Sequence, residues 1–182
     1  MYAAAQPAYA APPPAYPAAP PAPTAPPPMR PADAPQGGLP ATAQQLVDNH
    51  NAARAKHCVP PLAWSAQLAA AAQKWANTLR DKRCAFEHSG GPYGENLAAG
   101  TTGYMDPAAV VAMWYGEIKD YDYKNPGFSM QTGHFTQVVW KTTQSVGCGM
   151  VQCNGMDVWV CEYDPPGNWD GQYKDNVPKP CK

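Results

Sequence analysis

Six cysteines, Cys58, Cys84, Cys148, Cys153, Cys161 and Cys181, restrict the fold of this chain more than any other feature. Their number is even and no two are spaced as CxxC, which argues for disulfides in an oxidising compartment over a structural zinc site. A mature secreted protein, its leader removed by processing, is the expectation. Residues 146–153 and 156–163 read as two strands joined by Asn154-Gly155, the strongest short hairpin signal. A two-residue turn there sets Cys153 opposite Met156 and therefore Cys148 opposite Cys161, which predicts a cross-strand bridge. Cys153 points to the other sheet face and needs a distant partner. Cys84 is the candidate, which leaves Cys58 with Cys181; only the first bridge has a register behind it.

The cysteines avoid the first 40 residues, which hold 14 of the 23 prolines and only two charged residues, Arg30 and Asp33. Proline removes a donor, fixes φ and restricts its predecessor, so residues 1–40 are expected to be a disordered or polyproline II spacer. Its prolines interrupt any apolar run before a signal-peptide core could form. A ligand for a proline-reading domain and an O-glycosylated stalk are the alternatives for this segment. Residues 41–182 suit a single domain. A net charge of −1 with scattered basic residues gives no reason to expect nucleic acid as a partner. No apolar run approaches the roughly 18 residues of a transmembrane helix, and there is no Asn-x-Ser/Thr acceptor.

Along the domain, Thr42 with Gln45 reads as a capping box, and Leu46, Val47, His50, Ala53 and His57 follow at helical spacing. A second helix is predicted from Ser65 to about Arg83, with Leu68, Ala72, Trp75, Ala76 and Leu79 inward. The segment from Cys84 to Gly103 reads as a long functional loop. Asp106-Pro107 starts a third helix. Down that helix Glu117 falls on the apolar stripe of Val110, Trp114 and Tyr121, so its carboxylate needs a partner or a ligand. Pro126 and Gly127 exclude Tyr121–Phe128 from regular structure. Gly133–Lys141, rich in Val and Trp, is predicted to be a central strand, with His134 at its mouth facing a cavity.

Gly133-His134-Phe135-Thr136-Gln137-Val138-Val139-Trp140, then Val146-Gly147-Cys148-Gly149, resembles the first signature of the CAP superfamily, which groups cysteine-rich secretory, antigen 5 and pathogenesis-related class 1 proteins. Cys161-Glu162-Tyr163-Asp164-Pro165-Pro166-Gly167-Asn168-Trp169 resembles the second. His50-Asn51 with Arg54, His88–Leu97 and Asn125-Pro126-Gly127-Phe128 are similar to the fungal, pathogen-related-in-yeast branch. The resemblance implies an α+β fold: a disulfide-stabilised three-layer α-β-α sandwich around a central antiparallel sheet. It also implies that His88, Glu95, Glu117 and His134 converge in a central cavity. Two imidazoles and two carboxylates suit a divalent metal, zinc or magnesium, with the histidines as ligands and the carboxylates orienting them. A purely hydrogen-bonded polar cluster would satisfy the same burial.

The resemblance further implies a secreted protein that binds and exports sterols and fatty acids. Its sterol site is an aromatic loop, here Tyr121, Tyr123, Asn125, Pro126, Gly127 and Phe128, although Gln131 stands where a further aromatic belongs. Tyr121 could instead be the last core residue of its helix, and Phe128 a loop anchor. Fatty acids would lie in a separate groove between helices. An enzyme is the alternative rather than the expectation: a metal-dependent hydrolase using Glu95 or Glu117 as base. Ser89 beside His88 is a further nucleophile candidate. Release of the C-terminus as a signalling peptide is the minor alternative, opposed by a bridge at Cys181.

Overall fold

The computed structural model describes residues 39–181. The expected spacer, 1–40, lies outside them apart from Leu39 and Pro40. Helices α1 (Ala41–Ala55), α2 (Ala66–Asp81), α3 (Pro107–Gly116), α4 (Gly133–Val139) and α5 (Tyr173–Asn176) surround strands β1 (Ala63–Trp64), β2 (Gly94–Thr101), β3 (Ser145–Cys153) and β4 (Met156–Asp164). The strands form one sheet in the order β1-β3-β4-β2. Its ladders are antiparallel except for the two-residue β1–β3 pair, which is parallel. One apolar cluster joins α1, α3 and α4 to one face through Leu46, Trp114, Phe135 and Tyr163. A second joins α2 to the other through Ala72, Ala76, Leu79 and Val160. The three-layer α-β-α sandwich is therefore present.

Local chemistry explains most element starts. Ser65 caps α2 by accepting from the Leu68 amide, and Asp106 caps α3 by accepting from the Ala109 amide at 2.7 Å, with Pro107 at the first helical position. The capping box at Thr42 does not form. Pro40 precedes α1, its carbonyl already accepts from the Gln44 amide, and Thr42 lies inside the first turn. His57 lies beyond α1, buried between the Pro178 carbonyl and the Tyr115 hydroxyl. The long loop from Cys84 contains β2, an eight-residue strand. Gly94, Ala98, Ala99 and Gly100 carry little strand propensity, and pairing with the Val- and Trp-rich β4 supplies it.

The largest correction concerns Gly133–Lys141, which is not a strand: its first seven residues form α4. Both ends of that short helix are held by side chains remote in sequence. At its N-terminus Glu117 Oε2 accepts from the backbone amides of His134 and Phe135, each at 3.1 Å. At its C-terminus the fully buried Arg54 donates through Nη1 to the carbonyls of Val138 and Trp140 at 3.0 and 2.8 Å. Arg54 also donates to Pro60 and Thr143 carbonyls, so the guanidinium ties α1 to α4 and the turn beyond it. These caps satisfy amides and carbonyls that a seven-residue helix cannot satisfy alone, and they override the strand preference of Val138-Val139-Trp140.

The hairpin and its register are as predicted: Cys148 pairs with Cys161, Cys153 faces Met156, and Cys148–Cys161 is bridged. Cys84–Cys153 and Cys58–Cys181 complete the set. Cys58 and Cys84 follow α1 and α2 in the left-handed region, at φ 52° and 64°, and each bridge anchors the chain where it leaves a helix. On β3 a Cβ at Gly149 would come 2.5 Å from the Gln73 Cα, so α2 rests directly on strand backbone. Gln73 then clasps both polar groups of Met150 at 3.0 and 3.1 Å, standing in for a strand where β1 has ended.

Two predictions follow from buried polar groups. Arg54→Met leaves several carbonyls without a donor, at roughly 1–3 kcal/mol each, so its urea midpoint falls steeply while exposed Arg80→Met stays near wild type. His50 lies fully buried between the Leu46 carbonyl at 2.8 Å and the Tyr163 hydroxyl at 2.9 Å. Burial, outweighing the Leu46 bond and reinforced by the Arg54 charge, lowers it to about 4. The unfolded chain binds that proton near the ordinary value of about 6.5. Its contribution is thus complete above that value and is lost as pH falls toward 4, an effect of about 3 kcal/mol. His57, also lowered by burial, adds with the same sign. Denaturant titrations across this range should show a shallower acid loss for His50→Gln than for wild type.

Candidate functional site

The four expected site residues stand as two imidazole–carboxylate pairs. Glu117 leads the 3₁₀ turn that extends α3, and its Oε1 lies 2.7 Å from His134 Nδ1. The predicted need of Glu117 for a partner is met by this ring and by the two α4 amides. The His134 ring lies nearly parallel to the Trp114 indole, 20° apart with centroids at 6.2 Å. In the second pair His88 Nδ1 lies 2.6 Å from Glu95 Oε1, and the Ser89 amide donates to the same oxygen at 2.9 Å. The bond to Glu95 raises His88 above the usual imidazole value against the opposing effect of burial. Burial alone would raise Glu95, but the bonds from His88 and Ser89 outweigh it and hold its carboxyl below the usual range.

Among the described residues no group of three or more His, Cys, Asp or Glu side chains is arranged to hold a metal ion. The donor chemistry nevertheless suits one. Each imidazole gives Nδ1 to a carboxylate, the arrangement that orients metal-binding histidines, and keeps Nε2 available. Ser89 and His88 do not form a nucleophile–base pair: Ser89 Oγ accepts from the Gly91 amide, while the His88 ring turns to Glu95.

Sequence reasoning gave no role to Glu162. Strand register places it opposite Glu95, 3% exposed, with Oε2 lacking a hydrogen-bond partner among the described residues. Burial, then the Glu95 charge, pushes its carboxyl up to about 8. The Glu95 carboxylate across the strand thus favours the protonated form of Glu162. Asn96, next along β2, points to the other face. It donates to the His134 carbonyl at 3.1 Å and to the Tyr163 hydroxyl at 3.2 Å, and that hydroxyl meets His50. A buried polar relay thus runs from the start of α4 along one face of the sheet to α1. Only the strand register exposes either feature.

Residues 47–163 match the family model of the CAP, cysteine-rich secretory protein family. This chain belongs to the CAP family. It is 50% identical over 137 residues to Protein PRY2 of Saccharomyces cerevisiae, covering 72% of this chain and 40% of the relative. It is 46% identical over 133 residues to Secreted protein RBT4 of Candida albicans, covering 69% and 35%. The match thus takes in well under half of either fungal relative. In fold it is similar to NaASP2, solved with Zn²⁺, at a TM-score of 0.63 and 23% identity, covering 81% and 90% of the two chains.

Within this CAP domain the expected ligand loop divides. Tyr121 is buried, edge-on to Tyr123 at 4.8 Å and to Phe135 at 5.5 Å, so it takes the core role. Tyr123 packs against the same cluster. Asp122 closes a turn by accepting from the Lys124 amide and the Asn125 side chain, both at 2.8 Å. Phe128 lies over Gly133 and stays 59% exposed. Two shallow grooves lie elsewhere. One, of about 300 Å³, is walled by Ala43, Leu46, Trp64, Met150 and Trp159. The other, of about 330 Å³, runs along Leu97, Ala98 and Ala99 to Glu117 and His134. No helix among the described residues is long and apolar enough to cross a membrane.

Glu162 supplies a test of the carboxyl pair. Its folded value lies above the unfolded one, so its stabilising proton is fully present below the ordinary carboxyl range and lost as pH rises through about 8. Thermal melts between about pH 5 and 9 should show Glu162→Gln gaining on wild type as pH rises. A constant gap would mean that the Glu162 value is not raised.

Proposed function

We propose that this CAP protein is secreted and binds an apolar lipid, a sterol or a fatty acid, for export, with Phe128 as the loop's contact to a sterol. The observation that carries the reading is the division of the loop: Tyr121 and Tyr123 anchor it in the core while Phe128 remains exposed. Phe128 covers Gly133 with one edge and leaves most of its ring in water, where a flat apolar ring system can cover it. Asn125, Pro126 and Gly127 shape the backbone that presents it. The groove beside α1, with two tryptophans and aliphatic walls, suits an acyl chain. Three disulfides and similarity to a secreted relative support an extracellular location.

The family resemblance also implies a divalent metal, for which the described residues offer two imidazole–carboxylate pairs and no group of three donors. His88 and His134 would hold it through Nε2, with Glu95 and Glu117 orienting the rings, and two imidazole donors favour zinc over magnesium. Bound there, it would supply Lewis acidity. A metal-dependent hydrolase is accordingly the second reading. It requires a hydrolytic activity that survives purification and disappears in a His134→Ala variant that remains folded.

Titration of the full chain with a fluorescent sterol tests the first reading. Saturable binding weakened at least several-fold by Phe128→Ala is the expected result. Sterol affinity indifferent to Phe128 would remove the loop from the site, and no saturable binding of sterol or fatty acid would remove the lipid reading altogether.

A further inference from the structure

The outer edge of β2 carries a hydrogen-bonding pattern of its own. β2 ends the sheet, so one side of it has no neighbouring strand. Ladder parity decides which of its backbone groups face that side. The Thr102 amide, directly after β2, donates to the Gly155 carbonyl across the ladder at 3.0 Å, so residues of even number exchange bonds with β4. The odd ones, Glu95, Leu97, Ala99 and Thr101, therefore aim N–H and C=O outward. Two of those carbonyls are closed: that of Leu97 accepts the Trp114 indole N–H at 2.9 Å, and that of Thr101 accepts the Tyr104 amide at 3.0 Å. Between them both polar groups of the half-buried Ala99 and the Thr101 amide meet no partner among the described residues.

Strand edges are ordinarily blunted by charge, proline or a bulge. Leu97–Thr101 contains no charge and no proline, and its register with β4 is unbroken. A groove of about 330 Å³ runs along this stretch. α2 packs on one face of the sheet and α3 on the other. Phe86 lies in the segment that the bond from the Trp75 indole to the Glu87 carbonyl holds to α2, and Met113 lies on α3. Both border the groove and stay 58% and 46% exposed. Ala98 and Ala99 are small enough to leave room for larger side chains between them. An acyl chain or a ring system laid here would cover the outward amides and carbonyl without bonding them, which is unfavourable. An extended backbone bonds them and alternates its side chains toward both walls.

We propose that the β2 edge takes an extended apolar peptide segment of another protein as an additional antiparallel strand. One peptide residue exchanges both bonds with Ala99, and the carbonyl two residues before it accepts from Thr101. Its side chains fall alternately toward Phe86 and Met113. This interaction is separate from the lipid reading and uses none of the histidines or carboxylates of the candidate site.

The test titrates the full chain with the capped octapeptide Lys-Lys-Val-Ile-Val-Thr-Lys-Lys, by calorimetry at neutral pH. Saturable binding is expected, and at saturation exchange of the Ala99 and Thr101 amides, read by NMR, should slow at least tenfold. The same peptide N-methylated through Val-Ile-Val keeps its charges and side chains but cannot donate, and should bind at least tenfold more weakly. Ala99→Pro removes an outward N–H and spares the ladder to β4, as an edge strand tolerates; it should cost tenfold or more. Phe86→Ser and Met113→Ser should each weaken binding several-fold, while Met130→Ser, at an exposed residue off the groove, leaves it within twofold. Circular dichroism establishes that each variant is folded. No saturable binding overturns the proposal, as does equal affinity for the N-methylated peptide or unprotected Ala99 and Thr101 amides. A concentration-dependent dimer that Ala99→Pro dissolves would give the edge to a second copy of this chain and also overturn it.

Discussion

The arrangement of this domain depends on a buried guanidinium. Arg54 lies wholly inside the protein with no carboxylate beside it, and its charge is met by four backbone carbonyls, from Pro60, Val138, Trp140 and Thr143. Burial lowers it only to about 10, so it stays protonated under ordinary conditions. A planar fork with five donors can bind several carbonyls at once, which a lysine cannot. Three of those carbonyls belong to the end of α4 and the turn after it. The same contact therefore terminates α4, sets the entry to β3 and fixes α1 against both. At the opposite end Glu117 captures the first amides of α4, and in doing so positions His134. The helix that carries the candidate site is thus held by one cation and one anion from other elements.

The polar relay behind the site follows the same logic. Asn96, Tyr163 and His50 are buried and joined to one another, ending on the carbonyls of His134 and Leu46. Such a network is tolerated inside a core only when its members find partners, and then it specifies one arrangement. Glu162 is one of several buried groups among the described residues with a polar atom left unpartnered, together with the Tyr121, Tyr123 and Tyr173 hydroxyls, Trp140 Nε1 and Asp157 Oδ1. Glu162 is the one of them that stands directly opposite Glu95, with its carboxyl value raised by burial and by that neighbour. Buried polar groups left short of partners often coincide with function.

Much of this was readable in the chain. The Asn154-Gly155 turn fixes the β3–β4 register because side chains alternate with a period of two, and the register in turn sets Cys148 against Cys161. Asp106-Pro107 starts α3 because a side-chain oxygen and a preset φ act within one turn. The site residues were reached through separated motifs, and the pairing of Glu117 follows from its place on an apolar helical stripe. Others were not legible. Val138-Val139-Trp140 carries strand propensity, yet forms helix because its caps come from residues about 20 and 85 positions away. Thr42 and Gln45 match a capping pattern that Pro40 makes redundant. β2 has almost no strand signal of its own.

The sequence by itself determined the disulfide hairpin, helices α2 and α3 and the need of Glu117 for a partner. Each rests on interactions spanning a few residues, where spacing and side-chain type are sufficient. Tertiary structure alone decided that Gly133–Val139 is helical, that Tyr121 and Tyr123 turn inward while Phe128 does not, that Glu162 faces Glu95, and that a groove opens beside β2. These depend on which distant donor or side chain arrives at a given backbone atom. Propensities differ by a few tenths of a kcal/mol per residue, whereas an unmet buried polar group costs about 1–3 kcal/mol, so the distant partner prevails over the local preference.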